Sequence, residues 1–214
     1  MRQNVLFIVT STICLTTNPL SYSSTRSAFS SGQRADQTVR TLASIREKFP
    51  RARILLIETG LNKELPQKLA ERADLYLYLG HRNVIRQAAD GPYKGLGEAL
   101  SLYLAHRAIL SFQADYYFKL SGRYYLNEHF DALGWAGESV AGRKCGNGLY
   151  TVLYGFPHRL YHNWRSSLRQ SIPVLLRGES LELIQPKFFE QPICYLPQLG
   201  VSGWKSHSGE FVSL

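Results

Sequence analysis

The sequence predicts an α/β fold: a mainly parallel central sheet with helices on both faces and a smaller C-terminal elaboration. Three observations predict it. Residues 5–13 and 54–57 are short apolar runs rich in β-branched side chains, as fully buried strands are. Val39, Leu42, Ile45 and Phe49 recur at helical spacing between them. Strand-like and helix-like segments then alternate along the first half of the chain, which is the pattern of βαβ units on a parallel sheet.

Each element can be justified in turn. Residues 5–13 form the first buried strand, and a polar loop rich in Ser and Thr follows over 16–32. Loops of that length in a compact domain tend to be functional or mobile. Residues 36–49 read as a helix with Arg40, Arg46, Glu47 and Lys48 outward, stopped by Pro50. Residues 54–57 form a strand ending at Glu58, and a helix over about 63–72 leads to a third strand at 75–79. After the turn Asp90-Gly91-Pro92, residues 96–112 make the longest helix, with Leu100, Leu104 and Ile109 on one side. Asp115 precedes a strand over 116–120. Beyond Tyr124, short strands around 139–141 and 150–154 flank a glycine-containing loop, and helices are expected at 158–170 and about 180–189. The end, Leu199-Gly200-Val201-Ser202-Gly203-Trp204, is punctuated by glycine.

Composition narrows the function classes. The 214 residues suffice for one good core and would crowd a second, so one domain is expected. Lys and Arg number 25 against 16 Asp and Glu, a net charge of +9 that favours anionic partners. The basic residues are dispersed and no nucleic-acid motif occurs, so nucleic acid is not expected as a partner. The three cysteines, Cys14, Cys145 and Cys194, are far apart and form no C-x-x-C, which argues for a reducing compartment. Met1-Arg2-Gln3-Asn4 followed by an apolar run could open a signal peptide, but Thr10-Ser11-Thr12 interrupts the run at once. A buried first strand explains it better, and no other run approaches the ~20 apolar residues of a membrane span.

In open α/β sheets ligands bind outside the carboxyl ends of the strands, where the strand order reverses. Three strand ends collect polar residues: Thr10-Ser11-Thr12, Glu58, and Ser121-Gly122-Arg123. Glycine lets a backbone approach a ligand closely, and an arginine can hold phosphate in a fork of donors. Lys94-Gly95-Leu96-Gly97-Glu98 opens a helix whose free N–H groups can face an anion. The competing accounts are a strand leaving the core through a turn, and an ordinary helix start where Glu98 complements the dipole. Arg26 and Arg34 border the long loop, either as phosphate clamps or as solvated side chains.

Taken in order, these features resemble the GT-A nucleotide-sugar glycosyltransferases: a buried strand and loop, a strand ending in an acid, Lys94-Gly95-Leu96-Gly97-Glu98-Ala99 opening a helix, then Asp115-Tyr116-Tyr117-Phe118-Lys119-Leu120. More closely, the chain is similar to uncharacterised viral and bacterial glycosyltransferase-like proteins with a K-x-S-G-R-Y motif. Their motifs are matched by Ser27-Ala28-Phe29-Ser30, Arg34, Gln37-Thr38, Thr41, Ser44-Ile45-Arg46, Pro50 and Ile54-Leu55-Leu56-Ile57-Glu58. Further along they are matched by Lys119, Ser121-Gly122-Arg123-Tyr124, Asn127, Phe130 and Leu199-Gly200-Val201-Ser202-Gly203. The resemblance implies a single GT-A-like domain over 1–214, with a nucleotide-binding half to about 124 and an acceptor half from about 125. It implies a cytoplasmic transferase of polysaccharide biosynthesis, compatible with peripheral membrane association. The donor would be a nucleotide sugar and the acceptor a glycan or lipid-linked molecule. Thr10, Ser11, Arg34, Glu58, Lys94, Gly95, Gly97, Lys119, Ser121 and Gly122 would bind the donor, with Glu58 accepting from uracil or ribose; a structural carboxylate bonded to loop N–H groups is the alternative for Glu58.

The chain departs from that family where an Asp-x-Asp signature should hold Mn²⁺ or Mg²⁺. It has Ser121-Gly122-Arg123 instead, and hard cations want carboxylate oxygens. No metal site is therefore expected and no cofactor is required, with Arg123 stabilising the leaving diphosphate as a fixed cation, helped by Lys119 or Lys94. An inverting transfer also needs a base for the acceptor hydroxyl. Glu179 is the first candidate and Glu182 the second, with Asp131 behind them; Ser180 capping a helix with acids in its first turn is the competing account. His158, His162 and His207 show no triad or zinc spacing. Tyr124, Tyr125, Tyr154, Trp164 and Trp204 are candidate sugar platforms, most of them expected in the core. The alternative to an enzyme is a catalytically inactive GT-A-like module that binds nucleotide or glycan.

Overall fold

The computed structural model describes residues 4–64, 66–135 and 137–214. Along the chain the strands are β1 (Val5–Ser11), β2 (Arg53–Glu58), β3 (Leu75–Tyr78), β4 (Tyr116–Ser121), β5 (Tyr124–Leu126), β6 (Ala141–Cys145), β7 (Gly148–Pro157), β8 (Cys194–Tyr195), β9 (Val201–Trp204) and β10 (Phe211–Ser213). Seven of them form one sheet in the order β3-β2-β1-β4-β7-β6-β8, and β10-β9-β5 form a small antiparallel sheet. The first four strands of the large sheet are mutually parallel, and β7 runs against both its neighbours. Strands from both halves of the chain thus share one sheet. The direction of winding reverses between β1 and β4, whose ends are level because Thr10 is in register with Ser121. The apolar run at the N-terminus is an inner strand of the sheet from Val5 onward, between β2 and β4, while Met1-Arg2-Gln3 lie outside the described residues.

The helices are α1 (Ser31–Lys48), α2 (Gln67–Ala70), α3 (Asn83–Asp90), α4 (Lys94–Leu104), α5 (His106–Leu110), α6 (Tyr161–Leu175) and α7 (Leu181–Ile184). Alternation along buried strands sends successive side chains to opposite faces. Leu6, Ile8, Tyr117 and Phe156 pack against α3–α7, with Ala99, Leu102, Trp164 and Leu168. Phe7, Val9, Leu56 and Phe118 pack on the other face with Leu42 and Ile45 of α1 and Leu69 of α2. Helices therefore cover both faces, as the sequence predicts. Among the described residues no helix is long and apolar enough to cross a membrane.

Several boundaries differ from expectation for identifiable reasons. α1 begins at Ser31 rather than 36 because Ser30 and Gln33 form a capping box, each side chain bonding the other's backbone N–H. α2 is shorter than expected, with Pro66 at its N-cap. The helix expected over 96–112 is two helices, α4 and α5, parted at Ala105. α1, at 18 residues, is longer than either. α3 and the small sheet were not expected; α3 buries only Ile85 and Ala88 and the strands β5 and β10 have three residues each, too few to show a period.

One carboxylate ties α1 to the start of β2. Asp74 accepts from Arg46 Nη2 at 2.7 Å, Arg53 Nη1 at 2.9 Å and the Ile54 amide at 2.8 Å. Burial pushes its carboxyl up, but these bonds outweigh burial and hold it below the ordinary aspartate value. A lowered acid contributes stability above its unfolded value and loses it as pH falls through the folded value. Asp74→Ala is expected to cost about 1–3 kcal/mol at neutral pH by urea unfolding. The difference from the parent protein should close as pH falls below the ordinary aspartate range.

Candidate functional site

Two adjoining cavities open at the carboxyl ends of β1 and β4, the switch point where ligands bind in such sheets. The inner one is lined by Thr10, Ser11, Thr12, Arg34, Ser121 and Gly122, among others. The outer one has a volume of about 670 Å³, within the range of ligand pockets, and is framed by Tyr22, Tyr93, Tyr124, Tyr150 and Glu182. Lys94, Glu98, Ser121 and Arg123 line both. The fold thus gathers most of the sequence-predicted donor residues around one space.

Three basic side chains converge there from three elements. Arg34 of α1 is buried and donates through Nε to Thr12 O at 2.6 Å and through Nη1 to Ser27 and Ser206 Oγ at 3.3 and 3.2 Å. Arg123, just past β4, donates through Nη1 to Trp204 O at 2.8 Å. Nη2 of Arg34, and Nε and Nη2 of Arg123, have no hydrogen-bond partner among the described residues. Lys94, the first residue of α4, likewise has none for its ammonium, and no side chain caps that helix. Burial first, and then the charge of Arg123, bring the Arg34 guanidinium down to about 9, still protonated at neutral pH. Burial first, then Arg123 and Arg34, hold the Lys94 amine well below the ordinary lysine value, with Glu98 and Glu182 opposing. Lys94 and Arg123 are only half-buried by area because they form cavity walls, yet both lie deep enough for desolvation to dominate.

The remaining predicted donor residues play other parts. Lys119 is completely buried, paired with Glu98 and donating to Thr151 O at 2.5 Å, so its charge is neutralised within the wall. Lys119 lines the outer cavity as well, but with its ammonium already paired. Gly122 gives its N–H to Thr10 O at 2.9 Å, so this amide is not open to a ligand. Gly97 answers to helix packing, because a Cβ there would meet Ala89 Cα at 3.1 Å where α3 crosses α4. Gly95 similarly lies against Leu181 of α7. Thr12 and Thr59 share a hydroxyl bond of 2.7 Å, and Ser11 Oγ lies 3.5 Å from Thr38 Oγ1.

Glu58 faces a third, smaller cavity with Ile13, Cys14, Ser31, Gly32 and Asn62. Its Oε1 accepts from the Ile13 and Gly60 amides at 2.9 and 2.5 Å, which is the loop-bonded carboxylate of the alternative account. Its Oε2 is buried without a partner among the described residues. Burial raises the carboxyl, against the Ser11 hydroxyl, the two amides and Arg34. Arg26 is not a clamp: it is buried and donates to the carbonyls of Asn18, Pro19, Ala89, Asp90 and Gly91, closing the C-terminal end of α3 against the long loop. Of the candidate bases, Glu179 is exposed at the rim, whereas Glu182 is half-buried and accepts from Thr151 Oγ1 at 2.9 Å. Asp131 is exposed and bonds the Leu133 amide.

Among the aromatics, Tyr154 and Trp164 are fully buried and bonded to each other at 2.9 Å. Arg40 stacks 3.6 Å from the Tyr125 ring centre, with Trp204 beside them, on the small sheet. Only Tyr124 of the five expected platforms lines the outer cavity. No sequence signal pointed to Tyr22, Tyr93 and Tyr150, which come from separate segments. His207 reaches the same cavity edge-on to Tyr22, while His158 bonds Tyr117.

Neither the family models nor the curated proteins compared with the chain give a match. The donor set also speaks on metal. At the β4 end an arginine faces the cavity, and no group of three or more His, Cys, Asp or Glu that could hold a metal occurs among the described residues. Ser121-Gly122-Arg123 does not fit a divalent cation, because the guanidinium would repel it.

Arg26 and Arg123 should separate cleanly by experiment. Arg26→Ala leaves several carbonyls unpaired and is expected to cost about 3 kcal/mol in stability. Arg123→Ala removes one bond and should cost about 1 kcal/mol by urea unfolding.

Proposed function

We propose that the protein is a metal-independent glycosyltransferase, moving a sugar from a nucleotide-sugar donor to a glycan or lipid-linked acceptor. The observation that carries this reading is the convergence of Arg34, Lys94 and Arg123, with open donors, at the sheet's switch point. A diphosphate is the ligand that such a cluster fits: it carries enough negative charge to offset several cations, and a guanidinium can grip it with two parallel bonds. The likeness of the sequence to nucleotide-sugar transferases supplies the rest of the donor.

In this reading the donor diphosphate lies against Arg123 and Lys94 with Arg34 behind them. The nucleoside extends toward the β2 end, where the free Glu58 Oε2 accepts from a base N–H or a ribose hydroxyl. The acceptor occupies the outer cavity among Tyr22, Tyr124 and Tyr150, whose faces suit the C–H faces of a sugar. Glu182 takes the acceptor hydroxyl proton as the new bond to the anomeric carbon forms. The bond to the diphosphate breaks, and the departing negative charge develops among fixed cations already in place.

The test is turnover of a panel of nucleotide sugars in EDTA. Release of nucleoside diphosphate is expected to persist without metal. It should fall about 10²- to 10⁴-fold in Glu182→Gln, the usual worth of a general base, and change little in Glu179→Gln. An absolute Mn²⁺ requirement contradicts the proposed mechanism. Nucleotide binding without turnover of any donor contradicts transfer and identifies a binding module.

A further inference from the structure

Glu182 is held from beneath by a buried polar chain that the proposed chemistry does not by itself require. Thr151, on β7 and nearly fully buried, donates its hydroxyl to Glu182 Oε1 at 2.9 Å. Its carbonyl accepts from Lys119 Nζ at 2.5 Å, and Lys119 is in turn paired with Glu98. The chain therefore runs from α4 through β4 and β7 to α7, joining the elements that carry Lys94, Arg123 and Glu182. Glu182 Oε2 has no partner among the described residues, so only one oxygen of the carboxylate is tethered.

The backbone supports the same contact. A Cβ on Gly148, at the start of β7, would stand 2.1 Å from Glu182 O and 2.8 Å from its carbonyl carbon. Only glycine lets β7 come this close to α7, and that closeness brings Thr151 within reach of the carboxylate. α7 itself is a helix of four residues, too short to fix a side chain unaided.

We propose that Thr151 is a positioning residue for Glu182: its hydroxyl fixes one carboxylate oxygen so that the other faces the acceptor in the outer cavity. The inference rests on the transferase reading given above. A residue that acts only through a base lowers the rate of the chemical step without weakening substrate binding. Its effect also disappears once the base is gone, because mutations in one network are not additive.

The test is a double-mutant cycle on turnover of a nucleotide-sugar donor, with Thr151→Val, Thr151→Ser and Glu182→Gln. Thr151→Val is isosteric but lacks the hydroxyl, and Thr151→Ser retains it. We expect Thr151→Val to lower kcat about 10- to 100-fold, as a misplaced reacting group does, with acceptor KM and nucleotide binding unchanged. Thr151→Ser should restore most of the rate, and Thr151→Val should cost nothing further in a Glu182→Gln background. Thr151→Val that melts normally and turns over at the parent rate overturns the positioning role while leaving the transferase standing. A full additional loss in the Glu182→Gln background overturns it too, because Thr151 would then act elsewhere. Should Thr151→Val not fold, Thr151→Ser and Gly148→Ala, which moves α7 away, are read against Glu182→Gln in the same way. Absence of turnover in the parent protein with every donor removes the transferase reading and this inference together.

Discussion

Like charges crowd the carboxyl ends of β1 and β4, and much of the surrounding structure serves to hold them there. Arg34, Lys94 and Arg123 lie in partly dehydrated walls, where repulsion between cations is stronger than in water. Burial first, and then their mutual repulsion, lower the Arg34 and Lys94 values. Arg34 stays because α1 is anchored by a capping box and because Thr12, Ser27 and Ser206 fix its guanidinium. Arg123 stays because Trp204 of the small sheet accepts from it. The folded protein bears this cost without a ligand, as the proposed diphosphate site requires of a preorganised cluster.

The small sheet and the long loop make sense in that light. Ser206, between β9 and β10, accepts from Arg34, donates to Arg26 O, and has its carbonyl bonded by the Ala28 amide at 2.8 Å. The C-terminal hairpin is thereby fastened over the inner cavity. Arg26 fastens the same loop from its other side to the end of α3, so this buried arginine, which lines the inner cavity, also shapes it. The acid side is equally structured: Glu98 neutralises Lys119 inside the wall, leaving Glu182 as the half-buried carboxylate beside the cations.

The parallel sheet and its switch point were legible because β1 and β2 are short apolar runs with β-branched residues, and because Gly and Pro punctuate the chain between elements. The Ser30–Gln33 capping box was readable too, and would have moved the start of α1 to its true place. The three-residue strands of the small sheet were not, since so few residues show no period. At the site, Lys94 was found from a helix start, Arg123 from a strand end and Arg34 from the border of the long loop. What each side chain bonds to depends on tertiary contacts, which is why the pairing of Lys119 with Glu98, the carbonyl bonds of Arg26 and the packing of Gly97 against α3 were not legible. The choice of Glu182 over Glu179 turns on Thr151 and Gly148, some thirty residues away in sequence and adjacent only in the fold.

Calorimetric titration of pyrophosphate in EDTA, repeated across pH, tests the central claim most directly. Lys94 is held low in the empty site by burial and by its cationic neighbours, and a diphosphate would raise it. The complex then binds more protons than the free protein, so affinity must weaken as pH rises through the range between the two values. The account predicts binding without metal, proton uptake on binding, and loss of that uptake in Lys94→Met. No binding in EDTA, or binding that appears only when Mn²⁺ is restored, would contradict it.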